Sequence, residues 1–317
     1  VAPSATAAPS GSSAALTKIT VSSAAVTAGS SPVWVAKEAG IFAKHGLDVD
    51  ITAIAGASTT ISALLAGDIQ IINAGAPEAL SAIAGGTDLV FLGVMEPVYS
   101  FLLEVGPAIQ TPADLKGKTL AIVATGATVD IATRVGVRKL GLEPDKDVHI
   151  TPLGTQSASL AAILSGKVDG GVLTLSDALQ AEAKGFHPLL NLAEAKLATA
   201  NSAIYTQHSY VTAHHDVVQG YIDGIVEGTA RLKRDKPFAI NLFKKYLKLE
   251  DEKTLNAVYD FYSQAVLPSL PYIKPEDFTD AVAVLSQKNP KVADVDWSTY
   301  IDSSFVHSAA DRHLDQG

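Results

Sequence analysis

The sequence predicts an α/β protein of two similar lobes, with mostly parallel sheets and a helical C-terminal region. Three observations carry this. The chain has 317 residues, more than one typical domain holds. Strand-like and helix-like apolar runs alternate until the helical pattern takes over at His214. Finally, one unit occurs twice. Ala55 to Gly86 reads as loop, helix, turn, strand, loop, helix. Gly154 to Leu179 repeats that grammar, with Leu160, Ile163 and Leu164 answering Ile61, Leu64 and Leu65. The interval from Gly67 to Leu80 equals that from Gly166 to Leu179. A period this long suits two lobes rather than a solenoid.

Ile19 to Val26 is the first predicted strand. Ser31 can cap, and Pro32 can take the first position of a helix over Val33 to Lys44 that Gly46 ends. Leu47 to Ile54 alternates Leu47, Val49 and Ile51 with Asp48, Asp50 and Thr52, the period of a strand with one wet face. In the repeated unit Ser58 is the predicted N-cap, Gly67 the stop and Pro77 a first-turn residue. Leu89 to Met95 is a strand, broken at Glu96-Pro97-Val98-Tyr99, and Ser100 to Val105 resumes extended chain. Pro107 to Pro112 reads as a linker. Strand Thr119 to Val123, helix Val129 to Leu140 and strand Val148 to Leu153 lead into the second copy of the unit. Pro188 to Leu192 is a short strand, and Leu197 to Gln207 crosses back with Ala203-Ile204-Tyr205 extended. A long helix through Val217, Tyr221, Ile225 and Leu232 follows, then Phe238 to Leu247, Glu252 to Val266 and Glu276 to Leu285. Trp297, Ile301 and Phe305, at i, i+4 and i+8, predict a last packed helix. The resulting division is a tether at 1–17, lobe one at 18–106 plus 207–317, and lobe two at 107–206.

Composition narrows the function. With 47% apolar residues the chain can bury sizeable cores. Net charge of -9 and no basic stripe argue against a nucleic-acid partner. There is no cysteine, hence no disulfide, thiolate metal site or cysteine nucleophile. No run reaches the roughly 20 apolar residues of a membrane span. The Ala-, Pro- and Ser-rich start resembles the tether left after signal-peptide removal, which predicts a periplasmic or extracytoplasmic protein.

Catalytic signatures are missing. There is no Gly-x-Ser-x-Gly and no Walker pattern. His214 and His215 are adjacent and point apart on a helix, so neither metal nor cofactor is expected. Binding is better supported, because ligands of such sheets lie outside the carboxyl ends of the strands. The candidate ligand residues at those ends are Ser31, Trp34, Ser58, Thr59, Asn73, Ala76, Glu96, Tyr99, Thr125, Thr128, Gln156, Thr174 and Ser176. Hydroxyls beside free helix N–H groups suit an anion. The arginines, Arg134, Arg138, Arg231, Arg234 and Arg312, all lie outside these loops. Glu96 would instead repel an anion and attract an N–H donor.

Pro32-Val33-Trp34-Val35-Ala36-Lys37-Glu38-Ala39-Gly40-Ile41-Phe42, followed by Gly46-Leu47-Asp48-Val49, resembles the opening of the nitrate, sulfonate, taurine and thiamine-precursor branch of periplasmic substrate-binding proteins. Leu64-Leu65-Ala66-Gly67-Asp68-Ile69, Gly75-Ala76-Pro77, Asp114-Leu115-Lys116-Gly117-Lys118 and Ala161 to Asp169 resemble later signatures of the same family. The resemblance spans Ile19 to Phe305. It implies a type II two-lobed periplasmic-binding-protein fold, no catalysis, and a small-molecule ligand held between the lobes. It also implies an ABC importer's permease and ATPase as partners of a monomer. The ligand expected first is a small organic acid such as a sulfonate, with a thiamine-precursor-like pyrimidine or other aromatic nitrogen compound as the alternative. An enzyme or sensor domain on the same fold is the alternative class. The related pyrimidine-making enzymes carry a cysteine-rich motif, which this chain lacks.

Overall fold

The computed structural model describes residues 15–23, 26–54 and 56–316. Most of the predicted tether lies outside the described residues. The chain begins β1 (Thr17–Ser23), α1 (Ser31–Glu38), α2 (Ile41–Lys44), β2 (Leu47–Ala53), α3 (Ala57–Ala66), β3 (Ile71–Ala74), α4 (Ala76–Ala84) and β4 (Val90–Val98). It continues β5 (Phe101–Val105), β6 (Thr119–Ile122), α5 (Thr128–Lys139), β7 (His149–Pro152), α6 (Gln156–Leu164), β8 (Gly170–Thr174), α7 (Leu175–Glu182), β9 (His187–Asn191) and β10 (Ala198–Thr206). Six helices complete it: α8 (His208–Ala213), α9 (His215–Arg234), α10 (Lys236–Leu247), α11 (Glu252–Phe261), α12 (Thr279–Leu285) and α13 (Ser304–Asp311).

The strands form two five-stranded sheets of one topology, β2-β1-β3-β10-β4 and β7-β6-β8-β5-β9. In the first, Val21 faces Ile51 and Ile71 in parallel register. In the second, Leu120 faces Ile150 and Gly170 in the same way. One strand of each sheet, β10 or β5, runs antiparallel to its neighbours. Those two are the strands that enter from the other sheet. The chain therefore crosses at Tyr99-Ser100 and again between β9 and β10, ahead of the boundaries at 106/107 and 206/207 read from the sequence. The reason is physical: an apolar run such as Phe101 to Val105 suits either sheet, and only its pairing partners decide.

Other differences are local. Gly40, at φ +69°, ends α1 and starts α2 where the sequence predicts one helix. Gly56, not Ser58, is the N-cap of α3. Trp297 lies in a 3₁₀ turn, Ile301 bridges to Phe91, and only Phe305 lies in α13, so the last predicted helix is split.

One apolar cluster spans both sheets, joining Ile72 and Leu80 to Leu103 and Leu120, with Ala281 and Val284 of α12. A second packs the outer face of the first sheet on α9 through Val218, Tyr221 and Ile225. A third seats Trp34 among α10 and α11, and a fourth covers the second sheet with α6 and α7. Full burial of each such side chain stabilises by roughly 1.5–3 kcal/mol. Arg312, the C-cap of α13, clamps buried Asp223 of α9 with bonds of 2.7 and 2.6 Å, fastening the C-terminal helix to the first lobe.

Candidate ligand site

The carboxyl ends of the parallel strands in both sheets converge on one seam. From the first lobe come the turn Ala28–Ser30, the start of α3, the start of α4 and the end of β4. The second lobe brings the starts of α5, α6 and α7. The two sides touch. A Cβ placed on Gly75, the N-cap of α4, would fall on the Thr128 hydroxyl of α5.

Two helix starts of the second lobe, those of α6 and α7, are already occupied. Thr155 accepts the Ala158 N–H at 3.1 Å, and Thr174 accepts the Asp177 N–H at 3.4 Å. At α5 the Gly126 N–H donates to buried Asp130 at 2.7 Å, and Arg134 holds the other oxygen at 2.7 Å. An anion at these helix ends would compete with the protein's own acceptors. Gly56 and Gly75 give α3 and α4 no side-chain cap.

Glu96, at the end of β4, is buried against Gly29. Its Oε2 accepts from the Ser100 hydroxyl and from Asn201 Nδ2, the latter at 3.0 Å. Asn201 Nδ2 also reaches Ser100 Oγ at 2.9 Å, while Asn201 Oδ1 is buried without a partner. Burial raises the Glu96 pKa, and the Ser100 and Asn201 bonds only partly offset it. On the second lobe, burial likewise raises Asp177, against bonds from Thr174 and Gln156. No lysine or arginine offsets either shift. Tyr262, in the π-turn after α11, is buried within reach of both carboxylates, which with desolvation oppose its ionisation. Two acids from different lobes thus act electrostatically on one phenol.

Beside the Ala28–Ser30 turn lies a cavity of about 110 Å³. Trp34 and Tyr246 wall it, stacked with centroids 4.6 Å and planes 3° apart. Ser23, Ser30 and Thr52 supply its polar lining, and the buried Ser23 hydroxyl has no partner.

The residues singled out from the sequence divide accordingly. Trp34 and Glu96 line these two features. Thr128 is half-buried at the seam, Thr125, Ser58 and Thr59 are exposed at helix starts, and Ala76 is buried at the start of α4. Thr174 and Ser176 bond each other at 3.1 Å, and Gln156 reaches Asp177 at 3.5 Å. Three others are committed elsewhere. Ser31 is buried and donates to the Ala28 carbonyl at 2.6 Å. Asn73 exchanges hydrogen bonds with Tyr221 of α9 at 2.7 and 3.1 Å. Tyr99 is buried in the core spanning both sheets and reaches Asp280 of α12 at 3.4 Å. Asp177, Asn201, Tyr246 and Tyr262 were not legible as site residues. Asp177 had a signal: it repeats Glu78, an acid in the first turn of the matching helix. Among the described residues no group of three or more His, Cys, Asp or Glu is arranged to hold a metal ion.

The family model described as "NMT1/THI5 like" matches residues 27–236. No curated protein sequence matches the chain. Several solved structures share its fold. The periplasmic aliphatic sulphonate binding protein SsuA from Escherichia coli has a TM-score of 0.73 at 20% identity, over 90% of this chain and 92% of that one. The periplasmic nitrate-binding protein NrtA from Synechocystis PCC 6803 has 0.70 at 14%, over 94% and 89%. A mutant of DSZB in complex with biphenyl-2-sulfinic acid has 0.64 at 18%, over 93% and 99%.

Proposed function

The chain belongs to the NMT1/THI5-like family, and from that premise we propose that it is the extracytoplasmic solute-binding protein of an ABC-type importer. Its ligand sits in the seam between the lobes and presents N–H donors, as an aromatic nitrogen compound or an amine does. The observation that carries the ligand class is the set of acceptors in the seam that no cation offsets. Glu96 and Asp177 lie there without a cation, and Asn201 Oδ1 has no donor. A cationic or N–H-rich ligand would satisfy all three. The Trp34–Tyr246 wall with its hydroxyls suits a flat ring at the same end of the lobe.

The small organic acid expected from the sequence is the second reading. The uncapped starts of α3 and α4 favour it, since free helix N–H groups attract anions. The named sulfonate and nitrate binders, below 25% identity, speak for the fold rather than the ligand. No helix among the described residues is long and apolar enough to cross a membrane. Docking on a permease with its ATPase, as a monomer, completes the proposal.

A thermal-shift screen of amino-pyrimidines, alkylamines, sulfonates, carboxylates and nitrate tests it. The expected result is a raised midpoint with an amine or amino-heterocycle and no consumption of the hit. Shifts confined to sulfonates or nitrate would reverse the ligand class. Steady turnover of a hit would defeat the receptor reading.

A further inference from the structure

Gly75 has no conformational reason to be glycine. Its φ of −57° and ψ of 148° are ordinary extended values. Thr174 holds the same place in the repeated unit of the second lobe, with φ −63° and ψ 158°, and caps α7 there. A threonine is thus at home on this backbone. What differs is the neighbour. A Cβ on Gly75 would collide with Thr128 Oγ1 and lie 3.2 Å from Thr128 Cβ and 3.3 Å from Pro77 Cδ. Thr128 opens α5 in the other lobe. Other glycines are as tightly enclosed, such as Gly29 by Glu96, Gly93 by Pro271 and Gly224 by Phe42, but those contacts stay within one lobe. Among the described glycines, Gly75 is the one whose Cβ would overlap an atom of the opposite lobe.

We infer that Gly75 is the closing stop of the seam: its bare α-carbon is the seat on which Thr128 lands, and the missing side chain sets how nearly the lobes approach. Turning Thr128 about χ1 removes the Oγ1 overlap, but its Cβ stays 3.2 Å from a methyl at 75, which presses the lobes apart. The contact joins the starts of α4 and α5 across the ligand seam, so it also limits the thickness of ligand the closed lobes enclose. Only that last consequence rests on the receptor reading. Gly75 then acts as a positioning residue through Thr128, without needing to touch the ligand.

The test uses the full chain, which has no cysteine of its own. A Gly75→Cys/Thr128→Cys pair places its Cβ atoms close to the separation of about 3.5–4.5 Å that a disulfide needs. Mild oxidation without any ligand is expected to remove both free thiols and leave a monomer two mass units lighter. Two reactive thiols persisting in folded protein would overturn the inference. Spin labels on Ser62→Cys and Ala161→Cys, exposed on α3 and α6, read the closure itself. Gly75→Ala is expected to lengthen that distance without lowering the unfolding midpoint, and adding Thr128→Gly to shorten it again. A Gly75→Ala distribution matching that of the parent, or no rescue by Thr128→Gly, would also overturn it. No arm uses a ligand, so failure here leaves the receptor reading standing. A failed ligand screen likewise leaves the stop standing.

Discussion

In the second lobe, Thr155 and Thr174 cap α6 and α7 with their own hydroxyls. At the matching places of the first lobe stand Gly56 and Gly75, which cap nothing. The strand order, the inserted antiparallel strand and the acid in the first turn after β3 or β8 are otherwise shared. The lesson is that the repeat preserves the frame and not the chemistry at its helix ends. The second lobe satisfies the amides at the starts of α6 and α7, while α5, behind Ala127, has no side-chain cap. The first leaves two helix starts bare and brings Glu96, Asn201 and the Trp34–Tyr246 wall. Recognition should therefore be weighted toward the first lobe, with Asp177 as the second lobe's charged contribution.

Glu96 and Glu104 also contrast as buried acids, and this gives the largest expected effect. Glu96 has Ser100 and Asn201 as partners, whereas Glu104 on β5 is fully buried with both oxygens unpartnered. Burial, with Glu182 nearby, pushes Glu104 up to about 8 from an ordinary 4.5. A carboxyl with a raised folded pKa stabilises the fold below the unfolded pKa and loses that contribution as pH rises toward the folded one. Between pH 5 and pH 8 the loss should approach about 3 kcal/mol. Denaturant titrations across this range should slope downward for the parent and less steeply for Glu104→Gln, where Glu78, raised to about 7, still contributes. Equal slopes would show that Glu104 finds a partner.

A smaller effect is expected at Asn73. Tyr221→Phe strands its buried amide and should cost about 1–3 kcal/mol, measured by chemical unfolding. A neutral change would free Asn73 for the ligand and restore the role its loop position suggests. Smallest is the cap asymmetry. Thr155→Ala should destabilise by about 1 kcal/mol, with amide exchange quickening at the start of α6. If exchange at the bare start of α3 is just as slow in the parent protein, the contrast between the lobes fails.

The frame was legible because it repeats: apolar spacing and glycine stops mark α3–β3–α4 and α6–β8–α7 alike. Glu96 was legible as a charge at a strand end, and Trp34 as an aromatic beside a cleft loop. The remainder depends on packing between distant segments. Nothing local tells that Asn73 faces Tyr221, 148 residues away, or that Asn201 meets Glu96 across 105. Tyr246 and Tyr262 read as ordinary helix residues until α10, α11 and the turn after them fold back over α1 and β4. Strand positions were clear, but β4 runs to Val98 through the break read at Glu96-Pro97-Val98-Tyr99, and the sheet assignments of β5 and β10 were not legible, because pairing is non-local.

The central claim is that this seam holds an N–H-donating ligand through Glu96, and calorimetry on the strongest amine or amino-heterocycle from the screen tests it most directly. A charge-assisted hydrogen bond is worth about 1.5–3 kcal/mol, so Glu96→Gln should weaken binding roughly ten- to a hundredfold. Because burial raises the Glu96 pKa, a cationic ligand should displace its proton, and affinity should rise with pH while the ligand stays charged. Heats in buffers of different ionisation enthalpy would count that proton. Unchanged affinity in Glu96→Gln, or tighter binding of a sulfonate in that variant than of any amine in the parent, would contradict the account.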